Sequence, residues 1–283
     1  ADYYGMDNNQ VFVGVGSDDV LSMCFLTFFN GKKPVLFPDI TYSFYSVWAD
    51  LYRIPYEKQK LDDNMKIVPE DYYKENGGVI FPNPNAPTGL LMDLDSVRDI
   101  IEHNKDVVVI VDEAYIDFGG VSAKDLVNEY DNVLVVQTFS KSRSMAGMRI
   151  GYAFGSKELI KALNDVKFSF NSYTMNMTSI DMGVASINDK KYFEECVERI
   201  TATRERTKEE LTKLGFTFPD SKANFIFATH RSVPAKEIFE KLKTWNIFVR
   251  YFAQPRIDNY LRITIGTDEQ MDKLISALSE IVG

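Results

Sequence analysis

The chain is poor in the residues that build metal and disulfide sites: 283 residues hold two cysteines and two histidines. Cys24 and Cys196 lie far apart and outside any C-x-x-C pair, so neither a disulfide framework nor a zinc cluster has its ligands. Both sit in segments with helical periodicity and read as buried or half-buried thiols, natural to a reducing cytoplasm. His103 and His230 have no ligand-spaced partners, which leaves a metal site and a histidine-based triad without support. The base of any enzyme here must be another residue. No apolar run approaches the ~20 residues that cross a bilayer. Basic residues are in deficit, with 32 Lys and Arg against 41 Asp and Glu and a formal charge of −9. Such a surface argues against nucleic acid or an anionic membrane as a partner. The opening "ADYYGMDNNQ" lacks the basic and apolar regions of a signal peptide. It also lacks an initiator methionine, as expected of a processed or truncated chain.

What is present is an alternation of apolar runs and amphipathic segments. "QVFVGVG", "KPVLFP", "RIPYEK", "GGVIFP", "DVVVIVD", "NVLVVQTF" and "RIGYAFG" read as strands. "SDDVLSMCFLTFF", "TYSFYSVWADLY" and "MDLDSVRDIIEHN" read as helices between them, with Ser17 and Thr41 as expected N-caps. Strands this uniformly apolar belong in a sheet covered on both faces. The alternation predicts a three-layer α/β domain with a largely parallel sheet. After Gly155 helical patterns dominate to about Leu214. Mixed strands and helices follow, including the short strand "NIFVRYF". This texture predicts a smaller C-terminal α+β domain. The division falls at 1–185 and 186–283, within a long helix near residues 185–200.

In an open α/β sheet, ligands bind beyond the carboxyl ends of the strands. The polar residues expected there are Gly14, Gly16, Ser17, Asp18, Asn85, Asp112, Tyr115, Thr138, Ser140 and Lys141, with Arg149 shortly after. "GVGSDD" puts two glycines and a serine at a helix N-terminus, where free amides and the helix dipole favour a phosphate. It is not the dinucleotide fingerprint, because Asp19 holds the third glycine position. By itself it reads equally as a strand-to-helix turn. Ser140 and Arg149 are candidates for the same anion. Asp112 ends a very apolar strand, where a carboxylate needs a compensating partner. That partner is a helix N-terminus, a nearby lysine, or a protonated ring nitrogen of the kind pyridoxal phosphate presents. Lys141 reads either as a solvated loop charge or as an amine held for covalent chemistry.

"NPNAPTG", "DEAYIDF", "TFSKSRSMAGMRIGYAFG" and "YLRITIG", in this order, resemble the fold-type I pyridoxal-phosphate aminotransferases. Within them, "QVFVGVGSDDVL", "FPDITYSFY" and "LRITIGT" look most like the histidinol-phosphate aminotransferases. The resemblance runs from about Gln10 to the C-terminus. It implies an aspartate-aminotransferase-like fold and a transfer of the amino group from histidinol phosphate to 2-oxoglutarate, in histidine biosynthesis. It implies Lys141 as covalent anchor of pyridoxal 5′-phosphate and proton carrier, and Asp112 as partner of the pyridinium nitrogen. Asn85 and Tyr115 would hold the ring oxygen and Tyr42 would stack on the ring. Gly16, Ser17, Asp18, Ser140 and Arg149 would surround the phosphate, assisted by Thr138. Arg262 resembles the arginine that takes a substrate carboxylate, Arg250 would face the substrate phosphate, and Asn224 stands on the carboxylate side. The family also implies a homodimer.

The family carries an N-terminal arm and first helix ahead of the "VFVGVGSD" segment, with a tyrosine that reaches the partner's site. Only "ADYYGMDNN" and Gln10 precede that segment here, and Tyr3 and Tyr4 stand close to the first strand. Two enzymes of the same fold are the nearest alternatives, a threonine-phosphate decarboxylase and an aromatic aminotransferase. From another class, the alternative is a truncated, catalytically impaired cofactor-binding protein.

Overall fold

Seven short strands line up in the order β1-β7-β6-β5-β4-β2-β3 in the computed structural model, which describes residues 1–283. They are β1 (Val11–Gly14), β2 (Val35–Pro38), β3 (Tyr56–Gln59), β4 (Gly78–Pro82), β5 (Val109–Asp112), β6 (Val133–Thr138) and β7 (Gly151–Gly155). β3, β2, β4, β5 and β6 run parallel, and β7 runs antiparallel to β6 on one side and β1 on the other. This is the expected α/β sheet. Alternation along the strands sends Ile80, Ile110, Leu134 and Val136 to one face and Val79, Phe81, Val109, Val111, Val133 and Val135 to the other. The first face is covered by α1 (Ser17–Phe28), α2 (Phe44–Tyr52) and α4 (Lys157–Phe170), and the second by α3 (Leu94–Glu102) and the turn 123–128.

A second sheet has the order β10-β11-β9-β8, all antiparallel. Its strands are β8 (Phe216–Thr217), β9 (Phe225–His230), β10 (Arg250–Tyr251) and β11 (Leu261–Thr264). Leu211 of α6 (Lys190–Lys213), Ile238 and Leu242 of α7 (Ala235–Thr244), and Leu274 and Leu278 of α8 (Asp268–Val282) pack on it. The stretch read as one long helix is two. α5 (Met177–Asn188) stops before Asp189, whose carboxylate caps α6 by accepting from Tyr192 N at 3.2 Å.

Three local expectations are corrected. Ser17 is the first helical residue of α1, not its cap; Gly16 holds the N-cap with φ +90° and makes no side-chain bond. Thr41 does not cap α2, because the helix begins later, with Ser43 at the N-cap, and Thr41 Oγ1 is buried without a partner. "NIFVRYF" yields only the two-residue β10, since Ile247 N turns back to Leu242 O at 3.0 Å and Asn246 takes φ +58°.

Two arginines join the sheets. Arg204 of α6 is 4% exposed and donates to Phe118 O at 2.8 Å and Ala223 O at 2.9 Å. Arg256 pairs with Asp39 at 2.7 Å and donates to Leu61 O at 2.7 Å. Arg204→Met keeps most of the volume but strands two buried carbonyls. It is expected to destabilise the chain by about 2–4 kcal/mol, read as a lower urea midpoint with an unchanged slope. An unmoved midpoint would show that water satisfies both carbonyls.

Candidate active site

β4, β5 and β6 end side by side, with Pro82 paired to Asp112 and Asp112 to Val136. The Gly14–Ser17 turn leads into α1 beside them. Its shape depends on missing side chains: a Cβ on Gly16 would stand 2.4 Å from Arg149 Nη2, and one on Gly151 would stand 2.2 Å from Gly16 C and Ser17 N. Asp19, which breaks the dinucleotide fingerprint, has its own task. Its carboxylate accepts from Val15 N at 2.9 Å and so fixes the turn.

These ends enclose a cleft of about 170 Å³, bordered by Ser17, Asp18, Tyr42, Asp112, Tyr115, Ser140, Lys141 and Arg149, with Leu21, Pro82, Ala86, Ala114 and Ala146 between them. Eight of the residues expected from the sequence therefore share one wall. Gly16 lies beneath Arg149. Asn85 and Thr138 are buried just behind the cleft. Thr138 Oγ1 accepts from Ser140 N at 3.1 Å, donates to Ile150 O at 3.2 Å and lies 3.0 Å from Ser140 Oγ. It holds the lysine loop rather than facing the cleft. A larger groove of about 480 Å³, between the 142–148 loop and α5–α6, contains none of this set.

Asp112 is fully buried, and burial raises its carboxyl from the ordinary 3.8 to about 6, against the opposing pull of the Tyr45 hydroxyl and Ala114 N. Oδ2 accepts from Tyr45 at 2.7 Å, while Oδ1 has no partner. Asn85 donates through Nδ2 to Ile40 O at 3.0 Å and Thr88 Oγ1 at 3.2 Å, and its Oδ1 is likewise unpartnered. Two orphaned buried oxygens at one sheet edge are unusual in a folded protein and suit a ligand that donates to them. Tyr42 donates to Asp18 Oδ1 at 2.8 Å, and burial followed by Asp18 pushes its phenol up. Arg149 Nη2 stands 3.9 Å from Asp18 Oδ2. Lys141 makes no ion pair, and its Nζ lies 5.3 Å from the Tyr115 ring centre.

The expected substrate residues stand apart, on the second sheet. Arg262 of β11 is half-buried, free of any ion pair, and 5.2 Å from the Phe225 ring, which meets Tyr115 edge-on at 5.1 Å. Arg250 sits opposite Arg262 in register, exposed, over Phe252 at 5.6 Å. Asn224 precedes β9, and its backbone carbonyl accepts from Ile265 N at 2.9 Å. None of the three borders the cleft. Neither do Tyr3, which packs on Arg143, and Tyr4, whose hydroxyl lies 2.7 Å from that of Tyr152. His103 stacks on Tyr73 at 3.8 Å, and His230 Nε2 bonds Leu214 O at 3.0 Å; both are remote from the chemistry.

Tyr45 is the site residue that sequence reasoning missed. In the sequence it is one more aromatic of "TYSFYSVW"; a turn that bonds Tyr45 N to Tyr42 O at 3.3 Å sets it against Asp112.

The strand ends of this α/β sheet thus bring an amine, a buried carboxylate and a glycine-lined helix start together. The family model described as aminotransferase class I and II matches residues 1–278, and the chain belongs to that family. It is 53% identical over 282 residues to histidinol-phosphate aminotransferase of Clostridium beijerinckii, spanning 100% of this chain and 79% of the relative. It is 50% identical over 280 residues to the histidinol-phosphate aminotransferase of Lactococcus lactis subsp. cremoris, spanning 99% of this chain and 79% of the relative. The fold superposes with TM-score 0.91 on the crystal structure of histidinol-phosphate aminotransferase from Sinorhizobium meliloti in complex with pyridoxal 5′-phosphate. That pair shares 21% identity, over 100% of this chain and 79% of the other.

The raised carboxyl of Asp112 has a signed consequence for stability. A folded value above the ordinary one means that folding favours the protonated form. That contribution is complete below about 3.8 and is lost as pH rises through about 6. Measured by urea unfolding without cofactor, the stability of the parent relative to Asp112→Asn is expected to fall across this window, by on the order of 2 kcal/mol. A difference that rises or stays level with pH would contradict the burial argument.

Proposed function

We propose that the chain transfers the amino group of histidinol phosphate to 2-oxoglutarate with pyridoxal 5′-phosphate, as part of histidine biosynthesis. The observation that carries this is the meeting of Lys141, Asp112 and the Gly16–Ser17 turn in one cleft. The setting is a chain about half identical, end to end, to curated enzymes of that name. The same relatives do not favour the decarboxylase or aromatic alternatives.

The residues fit the cofactor on three counts. Asp112 Oδ1 is buried and unpartnered, as a site for a ring N–H requires. Asn85 Oδ1 is free in the same way, and with Tyr115 it would hold the ring oxygen. The first amides of α1, with Ser17, Ser140 and Arg149, suit a phosphate dianion. Asp18 would contribute its backbone N–H there, since its carboxylate is occupied by Tyr42. Gly16 admits the Arg149 guanidinium, Thr138 fixes Ser140, and Tyr42 would stack on the ring face.

When bound, the cofactor supplies an electrophilic carbon and a ring that withdraws electrons from the substrate Cα. Lys141 would hold it covalently and, once displaced by the incoming amine, move the proton at Cα. Histidinol phosphate ends in a phosphate and 2-oxoglutarate in carboxylates. Arg262, unpaired and half-buried, would receive one anion in each half-reaction, with Arg250 beside it on the phosphate side and Asn224 on the carboxylate side.

We also propose that the chain acts as a homodimer in the cytoplasm, with a division at 1–185 and 186–283. An apolar strip runs from the end of α4 through α5, with Phe170 83%, Tyr173 95% and Met177 79% exposed. A second copy would cover it. The proposed division falls within α5, three residues before the helix break at Asp189, and no helix is long and apolar enough to cross a membrane.

Glutamate formation from histidinol phosphate and 2-oxoglutarate tests the activity. Lys141→Ala is expected to lose roughly a thousandfold in kcat and to show no cofactor adduct by mass spectrometry after borohydride reduction. CO2 release from threonine phosphate without glutamate would identify a decarboxylase instead, and cofactor binding without turnover would support the impaired reading. Light scattering is expected to give a dimer that Tyr173→Glu with Ile180→Glu converts to monomer. A monomeric parent would refute the shared interface.

A further inference from the structure

Tyr45 is fully buried behind the cleft wall. Four aromatic side chains box its ring: Phe37 edge-on at 5.8 Å, Tyr42 at 5.8 Å and 82°, Phe25 at 6.3 Å and Trp48 at 6.3 Å. Packing of this kind would be served equally by phenylalanine. The hydroxyl is the one polar atom Tyr45 brings into the box, and its single partner is Asp112 Oδ2 at 2.7 Å. Burying a phenol O–H is costly unless it is hydrogen-bonded, so the pair is either a mutual accommodation or a device.

We propose that Tyr45 is a positioning residue for Asp112, whose hydroxyl holds Oδ2, keeps the carboxylate ionised and leaves Oδ1 aimed at the cleft. This rests on the reading of Asp112 as partner of the cofactor ring nitrogen. Asp112 has no salt-bridge partner. Around it stand Ala114 N and Lys141, which both favour the charged form, and Asp18, whose anion opposes ionisation; Tyr42 stands beyond. Tyr45 is the only side chain that donates a hydrogen bond to the carboxylate. Its own phenol is raised far above its ordinary range by burial and by Asp112, so it stays a donor at every working pH. Asp112 and Tyr45 meet because alternation along β5 turns Asp112 to the Ile110 face, where α2 packs. The neighbouring Glu113 goes to the opposite face and is held by Ser122, Ala123 N and Gln137. The division lets one carboxylate serve the site while the other serves the scaffold.

The test is Tyr45→Phe, with Phe37→Leu as a control that disturbs the same aromatic box and leaves the hydroxyl. In protein without cofactor, the carboxyl ¹³C signal of Asp112, assigned by its loss in Asp112→Asn, reports its titration. Its midpoint is expected to rise by about one unit, a tenfold change in the ionisation equilibrium, in Tyr45→Phe and to stay put in Phe37→Leu. In protein loaded with ring-¹⁵N pyridoxal phosphate, the ring nitrogen of Tyr45→Phe is expected to lose its proton at lower pH than the parent. An unchanged Asp112 midpoint in Tyr45→Phe, or an equal shift in Phe37→Leu, would overturn the proposal. A parent that gives no bound ¹⁵N signal would overturn the cofactor reading itself, and would do so whatever the carboxyl titration shows.

Discussion

Everything at the site depends on one buried negative charge. Asp112 ends a strand whose other residues are all apolar, and its surroundings supply neutral donors instead of a salt bridge. A lone carboxylate in such a place is unfavourable, and here the Tyr45 hydroxyl meets one of its oxygens while the other is buried without a partner. The layers follow from this requirement. α2 must lie close enough to bring Tyr45 onto the carboxylate, and the ends of β5 and β6 must stay level so that Asp112 and Lys141 border the same cleft.

The three-layer α/β unit was legible because its signals are local. Uniformly apolar strands, glycine turns and amphipathic helices each fit one reading, and they agree with one another. The cleft residues were legible for a different reason: strand ends are predictable, and Ser17, Asp18, Asp112, Ser140 and Lys141 all sit at or just beyond them. Helix starts were less so. Ser17 and Thr41 have cap chemistry, yet Gly16 takes a backbone angle closed to other residues, and Tyr42 is drawn toward Asp18 before α2 begins. The roles expected of Arg250, Arg262 and Asn224 came only from the resemblance to a known family, and nothing local to those residues pointed to them. The relation of Arg262 to the cleft runs through Phe225 and Tyr115, a contact between sheets that no sequence period encodes.

Tyr45 shows the limit of motif reasoning. A motif names the groups that touch a ligand. The groups that hold those in place are chosen by packing, and they look like ordinary core residues in the sequence. Glu113 is the complementary case. It is part of the "DEAY" run and buried like Asp112, yet three donors consume both of its oxygens and none of it reaches the cleft.

The glycine pair at the Gly14–Ser17 turn couples the cleft to closure of the sheet. Gly151 lies opposite Gly14 across the β1–β7 pairing and opposite Thr138 across β6–β7. One strand therefore brings the chain's first turn and its lysine loop to a common edge, although Gly14 and Gly151 are more than a hundred residues apart. Such a contact carries the loop entropy of all the chain between its ends. The cleft wall formed by this turn and the lysine loop therefore exists only once the first strand has paired. A ligand bound there stabilises only molecules whose first strand is already home, so loading with cofactor doubles as a selection for the finished fold.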